Sequence, residues 1–116
     1  MNQTELLKGT LSTIILRLLE EKGRMYGYEI TQLVKDMSGD RILVKEGSLY
    51  PALHRLEADG LIISEEVFIG KRARKYYTLT KPGKNAAKDS VNELLEFLQT
   101  IHTLVTVKPA ASYELA

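Results

Sequence analysis

The chain has no cysteine and no tryptophan, and only three prolines, two phenylalanines and two histidines in 116 residues. Without cysteine there are no disulfides, no thiolate chemistry and no cysteine-bound zinc. His54 has Glu57 one helical turn away and His102 stands alone, so the ligands are too few for a metal centre. No apolar run approaches the roughly 20 residues that cross a bilayer. The opening Met-Asn-Gln-Thr-Glu lacks the basic start and apolar core of a secretory signal, so no membrane association and a cytoplasmic location are expected. A glycine-rich phosphate loop ahead of a helix is missing, as are the glycines of an elbow that would expose Ser48 as a nucleophile. The sequence therefore assigns no catalytic residue, metal or cofactor, and an enzyme is not expected.

What is present suits one folded domain. The length allows a real core and the 44% hydrophobic content is ordinary. The net charge of +1 hides an asymmetry. Between Val67 and Lys88 stand Lys71, Arg72, Arg74, Lys75, Lys81, Lys84 and Lys88, with no acidic residue among them. Where charge sits matters more for a nucleic-acid partner than its sum.

Residues 45–61 organise the rest. Gly60, followed by apolar residues, marks a left-handed helix end, and Pro51 fits if the first turn begins near Gly47 or Ser48. At about 100° per residue, Leu49, Ala52, Leu53 and Leu56 share one side. Gly47, Pro51, His54, Arg55 and Ala58 occupy the other, flanked by Ser48 and Tyr50. Small residues let a helix sit deep in a groove, and the polar tips reach base edges and phosphates, as a DNA-recognition helix requires. An ordinary amphipathic helix fits this segment equally well.

Upstream, Leu7, Leu11, Ile14 and Leu18 predict one helix over 4–21, with an apolar band wide enough to need two partners. One would be the core, the other a second subunit. A second helix spans 27–37, with Ile30, Leu33, Val34 and Met37 inward. A turn at 38–40 and a short extended piece at 41–44 complete a helix-turn-helix order. Downstream, 61–69 and 74–80 predict a β-hairpin around a turn at 70–73. Its tip gathers Lys71, Arg72, Arg74 and Lys75, a wing for a phosphate backbone or, taken alone, a solvated basic turn. Thr80 and Pro82 start a helix that runs to about 107. Along it Ala87, Val91, Leu94, Leu98, Ile101 and Val105 keep the a/d spacing of a coiled coil. Leu95, Phe97 and Leu104 add apolar surface outside that seam. A homodimer through this helix covers them, with Leu7 and Leu11 of the first helix completing an interface of Val91, Leu94, Leu95, Leu98, Ile101 and Val105. A helix folded back on its own domain is the other solution.

The expected fold is mainly α with a small β-hairpin. It divides into a winged helix-turn-helix DNA-binding domain over 1–80, a dimerisation helix over 81–107 and a loose tail over 108–116. A winged helix that contacts an acidic protein instead of DNA fits the same pattern.

Several strings then carry a resemblance. Tyr26-Gly27-Tyr28-Glu29-Ile30, the run from Gly47-Ser48-Leu49-Tyr50-Pro51 through Ala52-Leu53-His54-Arg55-Leu56-Glu57, Gly60-Leu61-Ile62, and Arg74-Lys75-Tyr76-Tyr77-Thr78-Leu79-Thr80 with Gly83 resemble the PadR family of bacterial transcriptional regulators. The match runs from about Leu7 to Lys88, and the single C-terminal helix is similar to the compact subfamily. The resemblance implies a winged-helix repressor that binds a double-stranded operator as a homodimer and is released by a small-molecule effector. It puts Ser48, Tyr50, Pro51, His54 and Arg55 in or beside the major groove, and Lys71, Arg72, Arg74 and Lys75 on the wing. Tyr28 would touch the DNA backbone or pack beneath the recognition helix. Some compact members stack flat drugs on a tryptophan at the dimer interface, which this chain lacks.

Overall fold

A computed structural model describes residues 3–110; the end of the expected tail, 111–116, lies outside the described residues. Helix α1 (Gln3–Leu7) stops after five residues and α2 (Leu11–Lys22) follows. The single helix expected over 4–21 is thus two. The Thr10 N–H and hydroxyl both donate to the Leu7 carbonyl, at 2.9 and 3.0 Å, closing a turn there.

Helix α2 buries Leu11, Ile15, Leu16, Leu18 and Leu19, an arc of about 160° at 100° per residue. The second partner such a helix needs is α5 (Lys81–Thr106) of the same chain, which packs along it. Leu11, expected at a dimer interface, is only 5% exposed because its surface is taken up by the protomer's own core.

Strand β1 (Arg24–Tyr26) leads into α3 (Gly27–Met37), where the Glu29 carboxylate accepts the Tyr26 N–H at 3.1 Å and ties down the helix start. Ile30 and Val34 are buried as expected, whereas Met37 is exposed at the last position of α3. Residues 41–44 form no strand but an irregular link with Val44 buried. Helix α4 (Glu46–Ala58) follows, then the hairpin of β2 (Ile62–Ile69) and β3 (Arg72–Leu79). The sheet is antiparallel in the order β1-β3-β2, with Met25 opposite Tyr77 and Ser64 opposite Tyr77 on its other flank. A three-residue strand is too short to show alternation, which is why β1 is not legible in the sequence.

Ile15, Leu19, Ile30, Leu49, Leu53, Ile62 and Tyr77 are the large side chains sealed at the centre. Each fully buried aliphatic among them contributes about 1.5–3 kcal/mol of burial free energy. Helix α5 docks through its first two turns. The Thr80 hydroxyl accepts the Gly83 N–H at 3.1 Å and donates to the Gly60 carbonyl at 2.7 Å, while the Thr80 N–H reaches the Leu61 carbonyl at 3.0 Å. Helix and loop approach so closely that a Cβ on Gly83 would lie 1.9 Å from the Leu61 carbonyl oxygen. Beyond Ala87 the contact fades: Val91 and Leu94 are half-buried, and Leu95, Phe97, Leu98, Ile101, Leu104 and Val105 are exposed. The molecule measures 67 × 30 × 21 Å. No helix among the described residues is long and apolar enough to cross a membrane.

Candidate nucleic-acid interface

Helix α4 is fixed from behind and at its end. Behind it, Leu49, Leu53 and Leu56 are sealed in the core. At its end, Gly60 takes φ +74° and donates to the Glu57 carbonyl at 3.0 Å, while the Leu61 N–H reaches the Leu56 carbonyl at 3.0 Å. That pair of bonds is a Schellman cap, which only a residue tolerant of positive φ forms without strain. The start differs from expectation. The helix begins at Glu46, so Pro51 lies in its second turn and removes the N–H that would bond the Gly47 carbonyl. Gly47 is exposed, so solvent meets the carbonyl instead.

The outward side carries the residues expected there. Gly47, Tyr50, Pro51, His54, Arg55 and Ala58 are exposed and Ser48 is half-buried. Tyr50, at 40% exposure, has a second duty. A Cβ on Gly27 would lie 2.8 Å from the Tyr50 hydroxyl, so this ring rests on the first residue of α3 and fixes the angle between the two helices. Tyr28 does not pack beneath α4. It is 62% exposed and stacks on Tyr26 with centroids 6.5 Å apart.

The Ser64 hydroxyl donates to the Glu57 carboxylate at 2.6 Å, binding the wing to the last turn of α4. Nothing in the sequence marks this pair. The wing turn is shorter than expected, only Gly70 and Lys71 between paired Ile69 and Arg72. Arg74 and Lys75 therefore sit within β3, on opposite faces. Lys75 is exposed, with Glu66 across the ladder. Arg74 lies 4.2 Å over the Tyr26 ring, and its hydrogen bond to the Tyr76 side chain raises the guanidinium above its ordinary pKa against the opposing effect of burial. Arg24 sits 4.3 Å over Tyr76, completing a cation and tyrosine ladder across the sheet's outer face. Lys71 and Arg72, both exposed, are the cations at the tip itself.

A solvent-open groove of about 370 Å³ separates the α1–α2 turn from α4. Leu7, Lys8, Leu11 and Ser12 form one wall; Gly47, Ser48, Pro51, Ala52 and Arg55 form the other. Lys8 and Ser12 escaped the sequence reading because a continuous first helix gives no reason to place them beside α4.

The family model described as the transcriptional regulator PadR-like family matches residues 15–89. The negative transcriptional regulator PadR of Bacillus subtilis is 38% identical over 80 residues, 68% of this chain and 43% of that protein. Its structure in complex with operator DNA superposes with a TM-score of 0.63 at 35% identity, over 70% of this chain and 46% of that one. A transcriptional regulator from Clostridium thermocellum gives a TM-score of 0.79 at 34% identity, covering 90% of this chain and 99% of that one.

Proposed function

The chain belongs to the PadR-like family of transcriptional regulators, and on that premise we propose that it is a homodimeric repressor that presents α4 to the major groove of a pseudo-palindromic operator. The observation that carries this reading is the outward side of α4: small and polar, exposed, and braced from behind by Leu49, Leu53 and Leu56. Residues 1–80 act as the DNA-binding unit and 81–107 as the dimerisation helix, whose exposed Leu95, Leu98, Ile101 and Val105 are covered by a second copy. Two-fold symmetry then sets the recognition helices about 34 Å apart, one helical turn of DNA. Repression follows the relative named a negative transcriptional regulator. A small apolar effector would act where two such helices close over Leu94, Phe97 and Leu98.

On α4, Ser48, His54 and Arg55 reach bases or phosphates, with Pro51 against the groove wall and Tyr50 setting the helix angle. On the wing, Lys71 and Arg72 neutralise phosphates, Lys75 assists beside Glu66, and Arg74 acts through the tyrosine ladder. A gel-shift series on the DNA upstream of the protein's own coding region, across salt and against random competitor, tests this. Where Arg55 contacts a base, Arg55→Ala is expected to lose roughly 1–3 kcal/mol on operator beyond whatever it loses on random DNA. Lys71→Ala is expected to weaken operator and random DNA alike and to flatten the salt slope by about 0.9 per lost phosphate contact. Binding that vanishes at moderate salt and ignores sequence would instead favour a protein-contact role for the wing.

A further inference from the structure

We infer that the groove between the α1–α2 turn and α4 seats one backbone phosphate of bound DNA, with Lys8 and Ser12 joining Ser48 and Arg55 as its ligands. This rests on the DNA-binding reading above and extends the contact surface to an element that sequence analysis leaves out.

The groove walls supply two cations, Lys8 and Arg55, and two hydroxyls, Ser12 and Ser48, and no acidic residue lines it. Lys8 is exposed, and the ion pairs of Arg17 with Glu20 and Glu21 do not engage it. Its charge is therefore available at the surface. The same walls carry carbon surface from Leu11, Pro51 and Ala52. A free inorganic anion has no use for such apolar surface, whereas a sugar-phosphate unit does, with deoxyribose against the carbons and phosphate against the charges. Ser12 and Gly47 also stand in the first turns of α2 and α4, whose N-cap side chains make no capping hydrogen bond. The Thr10 hydroxyl donates to the Leu7 carbonyl instead. The partial positive charge of both helix starts adds to that of the side chains.

Position argues for DNA as the source of the phosphate. The groove runs along the N-terminal half of α4 and shares Ser48, Pro51 and Arg55 with the face proposed to enter the major groove. A helix lying in that groove has a sugar-phosphate strand along each flank. The Ser64–Glu57 hydrogen bond ties the wing to the last turn of α4, so Lys8 would grip a second stretch of backbone from the opposite end of the helix.

The test uses the full chain, operator-bearing and random duplexes, and a salt series. Lys8→Ala is expected to lower affinity for both DNAs by the same factor and to reduce the salt slope by about 0.9 per protomer, near 2 for a dimer, with the melting temperature unchanged. Ser12→Asp, which puts a negative charge in the groove, is expected to lower affinity further. A Lys8→Ala slope equal to wild type while Lys71→Ala flattens it overturns the inference and leaves the DNA-binding reading intact. Wild-type protein that binds no DNA overturns both. A thermal shift with inorganic phosphate that Lys8→Ala abolishes, with the DNA slope unmoved, assigns the groove to a free anion and likewise overturns the inference.

Discussion

Two faces of this molecule are left open to solvent, and they are opposite in kind. The outer side of α4 is small, polar and cationic at Gly47, Pro51, His54, Arg55 and Ala58, whereas the distal half of α5 shows Leu95, Phe97, Leu98, Ile101, Leu104 and Val105. Exposed single apolar residues are ordinary, but a continuous row on a rigid helix marks an association surface. The first suits a partner read by shape and charge, the second a partner that removes carbon from water. Exposure alone would not separate them; chemistry does.

The hardest way to break the contrast is to put charge on the carbon face. Leu98→Asp with Ile101→Asp is expected to leave the fold intact, since both residues lie beyond the docked turns of α5, and to yield monomers by sedimentation. Loss of the second half-site should then cost roughly a hundredfold or more in operator affinity. Dimers that persist in this variant would mean that α5 is not the joining surface.

A subtler change sharpens the other side. A Cβ on Gly47 meets nothing within 4 Å. Gly47→Ala should therefore raise stability by up to about 0.5–1 kcal/mol, the usual gain for removing glycine from a helix. The added methyl stands on the wall that we propose faces the backbone, so DNA affinity should fall severalfold while the melting temperature rises. Affinity that rises along with stability would show that smallness there is incidental.

The smallest effect concerns the support beneath α4. Burial, then the Glu57 carboxylate and the Tyr50 hydroxyl, push the Tyr77 phenol above its ordinary pKa. Ionisation is then harder in the folded than in the unfolded chain. Stability from this group is whole below about pH 10, the unfolded tyrosine value, and is lost as pH rises toward the folded value. Tyr77→Phe is expected to lose less of its melting temperature than wild type between about pH 9.5 and 11. Equal losses would remove Tyr77 from the alkaline transition.

Much of this is legible in the sequence where the signal is local. Leu49, Leu53 and Leu56 repeat at helical spacing and Gly60 stops them, so α4, its inner side and its cap follow from neighbours alone. What fails is whatever depends on distant chain. The break at Gly9 is bridged by a strong leucine pattern, so α1 and α2 read as one. The four wing cations look equivalent at spacings of one and two residues, yet the two-residue turn sends Arg74 to Tyr26, a partner 48 positions away that β1 brings alongside β3. The wide apolar band of α2 correctly signals a second neighbour, but sequence cannot say that α5 of the same chain supplies it.

The seam at Thr80 and Gly83 has a mechanical meaning. It fastens the loop that ends α4 to the first turn of a helix of 26 residues, with a backbone oxygen where any other side chain would begin. At 1.5 Å per residue that helix is about 39 Å long, so each degree of tilt at its root swings the far end by about 0.7 Å. A pivot so crowded resists tilting, so in the dimer proposed above the separation set by the paired helices would be handed on to the two α4 rods as through a stiff lever.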